Sequence, residues 1–141
     1  MNEKKKKRLF GRILTTVVLA GLLSTTAFAG SPEAQFYFYF PWYKSTTVYS
    51  YAAKKTDAGT ASGAYADIYA TQETKVKYTV VKEIGKDKYE DYSNSGTLYS
   101  YSDQQKLSLN YTKYVANNTY FKLRGEGGFM RSGNAEGKWY P

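Results

Sequence analysis

The run from Gln35 to Tyr43, QFYFYFPWY, limits what this chain can fold into more than any other stretch. Phe36, Phe38 and Phe40 recur with period 2 and share one face of an extended strand, while Tyr37 and Tyr39 point to the other. A strand with three phenylalanines on one side needs a second layer to cover them. Pro41 has no N–H to give to a ladder, so it interrupts the strand, and Trp42 and Tyr43 begin a turn or a second edge segment.

The remainder of the chain supplies short strands that can build that layer. Thr46 to Ala52 (TTVYSYA) is β-branched and aromatic with alternation and reads as a strand; loop residues follow from Lys54 to Gly63, with Asp57-Ala58-Gly59 at the apex. Between Gly63 and Thr71, Ala64, Ala66, Ile68 and Ala70 alternate with Tyr65, Asp67 and Tyr69, which puts small apolar groups on one face. An alanine-rich face belongs where large neighbours fill the space, and the phenylalanines of the first strand are suitable neighbours. Lys75 to Glu83 is expected as a strand with Val76, Tyr78 and Val80 inward and Lys75, Lys77 and Thr79 outward. Ile84 to Ser95, dense in charge and turn residues, reads as a solvated turn or loop.

Thr97 to Ser102 and Leu107 to Val115 are two further strands, with Leu107, Leu109 and Tyr111 on one face. Asn117-Asn118 is expected as a hairpin turn, because asparagine tolerates positive φ, and Tyr120 to Arg124 returns with Phe121 and Leu123 inward. Gly125 to Gly128 and Ser132 to Asn134 read as glycine-rich connections, and Ala135 to Tyr140 as a last strand in which Trp139 takes a core position. Seven or eight strands spaced by about ten residues, without helical periodicity, predict an all-β chain: a single small antiparallel β-sandwich, or barrel-like, domain.

Ahead of these strands, Lys4 to Lys7 with Arg8 and Arg12 form a basic segment and Ile13 to Leu23 an apolar one. Ala27 and Ala29 then present the small side chains that a signal peptidase requires. A bilayer span takes about 20 apolar residues, more than this run offers. Residues 1–29 are therefore expected to be a cleaved signal peptide and residues 30–141 the domain, secreted and not membrane-spanning after cleavage. The chain has 20 basic and 12 acidic residues, of which six basic residues and Glu3 lie in residues 1–29; 14 and 11 remain, a net charge of only +3. That balance, without a Lys/Arg stripe, gives no nucleic-acid footprint and leaves only a weak attraction to anionic envelopes.

There is no cysteine, so an exported domain of this length has to be held by packing alone. There is no histidine either, and together these absences remove Ser-His-Asp and Cys-His nucleophilic sites and the usual zinc ligand sets. Carboxylates remain, but Asp67, Glu73, Glu83, Asp87, Glu90, Asp91, Glu126 and Glu136 lie mostly in turns or at outward positions, whereas a glycosidase pair must face across a cleft. Asp87, Glu90 and Asp91 lack the alternating oxygen-ligand loop and glycine of a calcium site. Gly125-Glu126-Gly127-Gly128 is not followed by the lysine of a phosphate-binding loop. No enzyme activity, metal or cofactor is expected.

Tyrosine is the residue in excess, and all 16 tyrosines lie after residue 29. A tyrosine offers a flat apolar face with a polar tip, suited to stacking on sugars, to protein interfaces or to a headgroup layer; it is also simply a good strand former. Tyr37, Tyr39, Trp42 and Tyr43 are the surface-binding candidates, since strand parity turns the first two outward and the others follow directly.

Four segments carry a resemblance: Phe36-Tyr37-Phe38-Tyr39-Phe40; Lys55-Thr56-Asp57 leading to Ala64-Tyr65; Tyr120-Phe121-Lys122-Leu123-Arg124-Gly125; and the closing Gly137-Lys138-Trp139-Tyr140-Pro141. In these the chain resembles small secreted Gram-positive β-sandwich proteins of unassigned function related to the lactococcin-like bacteriocins. The resemblance implies a disulfide-free β-sandwich and, for the bacteriocin branch, inhibition of competing bacteria through their envelope.

The expected function is non-enzymatic binding to a cell envelope or wall polymer, including as a bacteriocin-like antagonist of other bacteria. The alternative is an extracellular carbohydrate-binding or adhesive module that uses exposed aromatics. N-terminal sequencing of protein recovered from culture medium is expected to start at Gly30; recovery only from membranes at full-length mass would rule the cleaved leader out.

Overall fold

The computed structural model describes residues 31–42, 44–56, 64–128 and 132–141. The expected leader, Tyr43 and the Asp57-Ala58-Gly59 apex lie outside them. Ten strands are present among the described residues: β1 Ala34–Phe40, β2 Thr46–Tyr49, β3 Ala53–Lys55, β4 Tyr65–Gln72, β5 Val76–Gly85, β6 Lys88–Asp91, β7 Gly96–Leu98, β8 Tyr101–Asn110, β9 Thr119–Gly127 and β10 Gly133–Tyr140. All pairings are antiparallel. One sheet has the order β1-β10-β4-β8; the other runs β2-β9-β5-β6, with β3 also on β9 and β7 also on β5. The two sheets pack through one core, the all-β sandwich that the strand pattern predicts.

The core is a column of rings set against residues with almost no side chain. Phe36, Phe38 and Phe40 are all buried, and Phe36 and Phe38 pack on Tyr78 of β5 at ring-centroid distances of 5.9 and 6.5 Å. Within their own sheet, Phe36 stands opposite Gly137 and Phe38 opposite Ala135, and Gly137 in turn faces Ala70. A methyl group on Gly137 would come within 2.0 Å of the Tyr69 carbonyl oxygen. Across the sandwich, Gly125 of β9 lies directly under Phe38: an added Cβ would sit 2.6 Å from its ring. Gly125 to Gly127 are strand, not a connection: they pair with β2 and β5, and rings from the opposite sheet occupy the space that side chains at Gly125 and Gly127 would take.

Parity holds along β4, where Ala66, Ile68 and Ala70 are fully buried. It also holds at β5 for Val76, Tyr78 and Val80, and burial pushes the Tyr78 phenol well above its ordinary range. Thr79 departs from expectation: it points away from the core yet is fully buried, as is Val81. The cause is a second covering layer on the outer face of the six-stranded sheet. There Arg124 binds Asp91, Lys122 binds Glu83 at 2.7 Å, and Tyr49 stacks on Tyr89 at 3.9 Å. Tyr49 and Tyr89 stand on strands separated by two others, about 14 Å apart in a flat sheet, so their rings lean inward from both sides.

Both outer strands of this sheet are broken, and a serine mends each break. Expected as one strand, Thr46 to Ala52 divides at Ser50, where residues 50–52 face only residues 122 and 123 of β9. Ser50 N donates to Leu123 O at 2.9 Å, and Leu123 N donates to Ser50 Oγ at 2.8 Å. On the other side, Val80 N donates to Ser93 Oγ at 2.8 Å and Tyr92 N to Val80 O at 2.9 Å, bridging the interval between β6 and β7. Each hydroxyl takes a ladder N–H that the bulge would otherwise leave buried and unpaired.

Three further local expectations are corrected. Ile84 to Ser95 is not a loop: β5 and β6 form a hairpin whose two-residue turn carries Asp87 at φ 55°, and the charges lie along its edge strand. Asn118 has the anticipated positive φ of 64°, but the turn joins no hairpin, because β8 pairs with β4 and β9 belongs to the other sheet. Thr97 to Ser102 is split between β7 and β8, which lie in different sheets.

Phe38→Ala is expected to lower stability by about 3–5 kcal/mol and Gly125→Ala by about 1–3 kcal/mol, the latter by overpacking against the same ring. Denaturant unfolding checks both. Combining Phe38→Leu with Gly125→Ala should cost less than the two single effects added, since the smaller side chain vacates the space the methyl needs.

Candidate functional site

A broad cleft of about 1070 Å³ starts against Tyr49, Ser50 and Tyr51, passes β1 and crosses the outer face of the four-stranded sheet. Its floor follows a cross-strand row: Tyr37 of β1 faces Glu136 of β10, which faces Thr71 of β4, and Gln104 of β8 lies at the far end. Such a row across four strands is about 14 Å long. β1 makes this possible by being an edge strand, paired with β10 on one side only among the described residues.

Three tyrosines give the cleft its aromatic lining, each placed by a different local cause. Tyr37 points outward because its neighbours Phe36 and Phe38 point in, and it is 62% exposed. Tyr51 is 92% exposed because the bulge at Ser50 leaves it outside the ladder. Tyr49 is the last residue of β2; one ring face is occupied by Tyr89, and partial burial raises its phenol pKa. Gln35, Gln104 and Thr71 line the same cleft, with side-chain amides and a hydroxyl that make no hydrogen bond among the described residues.

One end of the cleft is fixed by charge. The Tyr140 hydroxyl donates to Glu33 Oε2 at 2.5 Å, and Lys138 Nζ stands 3.2 Å from the same oxygen. The Tyr140 hydroxyl, and then Lys138, hold the Glu33 carboxyl below its ordinary range, and the hydrogen bonds to Glu33 in turn raise Lys138 and Tyr140. The Lys138 ammonium also lies 5.9 Å from the ring centres of Tyr69 and Tyr140. On the other rim Lys122 is committed to Glu83 and stands over Tyr89.

Of the residues singled out in the sequence, the structure brings Tyr37 into the cleft. Tyr39 is 56% exposed on the same face of β1 and Trp42 67% exposed in the turn after Pro41, and neither lines the cleft; Tyr43 lies outside the described residues. The sequence reading does not single out Tyr49, Tyr51, Gln35, Gln104 or Glu33, and it names Glu136 only among the outward carboxylates. Parity could have turned Gln35 outward with Tyr37, but nothing in the sequence signals the bulge at Ser50 or the partner of β1. No group of three or more His, Cys, Asp and Glu residues stands ready to hold a metal among the described residues. Glu90 and Asp91 are engaged separately, by Lys113 and Arg124. No helix among the described residues is long and apolar enough to cross a membrane.

A lowered carboxyl contributes stability above the ordinary carboxylate range and loses it as pH falls through its own pKa. The tether of Glu33 to Lys138 and Tyr140 is thus expected to be intact at neutral pH and to release in acid, with little effect on global stability because the group is exposed. Carboxyl chemical-shift titration should place the Glu33 midpoint below that of an ordinary glutamate, and Tyr140→Phe should move it upward.

No protein-family model matches the chain, and no curated protein matches it. Among solved structures, the crystal structure of Yersinia pseudotuberculosis-derived mitogen is similar, with a TM-score of 0.44 and 10% sequence identity over 78% of this chain and 86% of that one.

Proposed function

We propose that this protein is a secreted, non-enzymatic binder of cell-envelope surfaces that holds an extended glycan or wall polymer in the cleft along β1. The observation that carries the proposal is the lining of that cleft: exposed Tyr37 and Tyr51 rings beside the amides of Gln35 and Gln104 and the Thr71 hydroxyl. Rings stack on the apolar faces of sugars, and uncommitted amides and hydroxyls exchange hydrogen bonds with sugar hydroxyls. Length fits too, since a row across four strands accommodates a polymer better than a single small molecule. The basic and apolar segments before Ala29 support export.

Two features favour binding over hydrolysis. Glu33, the cleft carboxylate that is best supplied with hydrogen bonds, is driven toward ionisation, the opposite of what a general acid requires. Glu136 is an exposed carboxylate whose cross-strand neighbours are Tyr37 and Thr71 and not a second carboxyl.

Pull-down with whole Gram-positive cells and with isolated wall polymer tests the proposal. Replacing Tyr37 and Tyr51 together by serine is expected to weaken retention, each lost ring costing about 0.5–1.5 kcal/mol, with circular dichroism unchanged. Replacing Tyr39 and Trp42, which lie outside the cleft, should leave retention as in the parent. Equal binding by the parent and the Tyr37/Tyr51 variant, or no retention of the parent on any envelope fraction, would overturn the reading. Growth arrest of the bound cells would assign it to bacteriocin-like antagonism; normal growth would assign it to adhesion.

A further inference from the structure

Both lysines that line the cleft already have carboxylate partners, one of them outside the lining, and the lining carboxylate left over points to the kind of polymer the cleft takes. Lys138 is matched by Glu33 and Lys122 by Glu83. Glu136, in the middle of the floor, has no hydrogen bond or ion pair among the described residues. Directly opposite it in the ladder stands the exposed ring of Tyr37, on the same face and therefore about 4.5–5.5 Å away between Cβ atoms. A carboxylate beside an open tyrosine face is a receptor for an ammonium group, which the carboxylate attracts by charge and the ring by its quadrupole. It repels an anionic group at the same place.

Resting on the glycan-binding reading of this cleft, we infer that its ligand is a polymer of amino sugars with free amines, with one ammonium held between Glu136 and Tyr37. Sugar is favoured over a lysine-bearing peptide because the surroundings of Glu136 in the cleft offer ring faces, amides and a hydroxyl, the groups that stack on and hydrogen-bond to sugar rings. Both lysines of the cleft being neutralised, no cation is left to draw an acidic polymer into it.

Titration calorimetry of the protein with a glucosamine hexamer, an N-acetylglucosamine hexamer and a lysine hexamer, at mildly acidic pH where the amines are charged, tests this. The free amine is expected to improve binding over the acetylated form by about tenfold or more, the worth of a charge-assisted contact. Glu136→Gln should remove that preference, so that the two sugar hexamers bind alike; the side chain is exposed and has no ion-pair partner among the described residues, so the fold is unaffected. Equal affinity for the two sugars, or a preference that survives Glu136→Gln, overturns the inference while leaving glycan binding standing. A lysine hexamer that binds as tightly as the amino sugar overturns it in favour of a peptide ligand. Binding of neither sugar also overturns it, and the wall pull-down with the Tyr37/Tyr51 variant then shows separately whether the broader reading falls.

Discussion

The fold depends on three phenylalanine rings lying where neighbouring strands have no side chain. Phe36, Phe38 and Phe40 fill the space between the sheets, and Gly137, Ala135 and Ala70 beside them and Gly125 opposite leave that space open. Large-against-small packing of this kind gives interior density without voids, and it couples the sheets tightly because neither partner can change alone. It also stands in for the covalent ties that a small domain can use, since the chain has no cysteine. Rigidity of β1 on its inner side is what makes Tyr37, one residue away on the outer side, a fixed platform.

A second constraint is the demand of backbone groups for partners. The six-stranded sheet has two continuous central strands, β5 and β9, flanked by strands that break and resume, and Ser50 and Ser93 accept the N–H groups exposed at the breaks. The break at Ser50 has an outward consequence. It detaches Tyr51 from the ladder and sets it at the cleft beside Tyr49, so a device that satisfies the backbone also supplies a ring to the surface.

Charge on the outer faces is arranged in cross-strand pairs, Lys77 with Glu126, Lys106 with Asp67, Lys122 with Glu83 and Arg124 with Asp91. Exposed pairs of this kind add little stability individually, but on the six-stranded sheet those of Lys77, Lys122 and Arg124, with the Tyr49–Tyr89 stack, form a layer dense enough to bury Thr79 and Val81. Within the cleft, Lys122 and Lys138 are both held in such pairs, and Glu136 is the lining carboxylate that is in none among the described residues.

The sequence by itself determined the fold class, the inward faces of β1, β4 and β5 and the burial of Trp139, because side chains alternate along a strand and apolar ones have to leave water. It also determined which chemistries the chain lacks, since no histidine or cysteine is available to perform them. Of the site it disclosed Tyr37, through the same parity. Tertiary structure decided the rest: Gly125 lies in a strand and Thr79 is buried because of residues far away in the chain, β8 and β9 part into different sheets despite the turn at Asn118, and Glu136 comes beside Tyr37 although 99 positions separate them. Local propensity carries no information about which strands become neighbours. Long-range pairing and the packing of one sheet on the other settle that, and the cleft is a product of those neighbours.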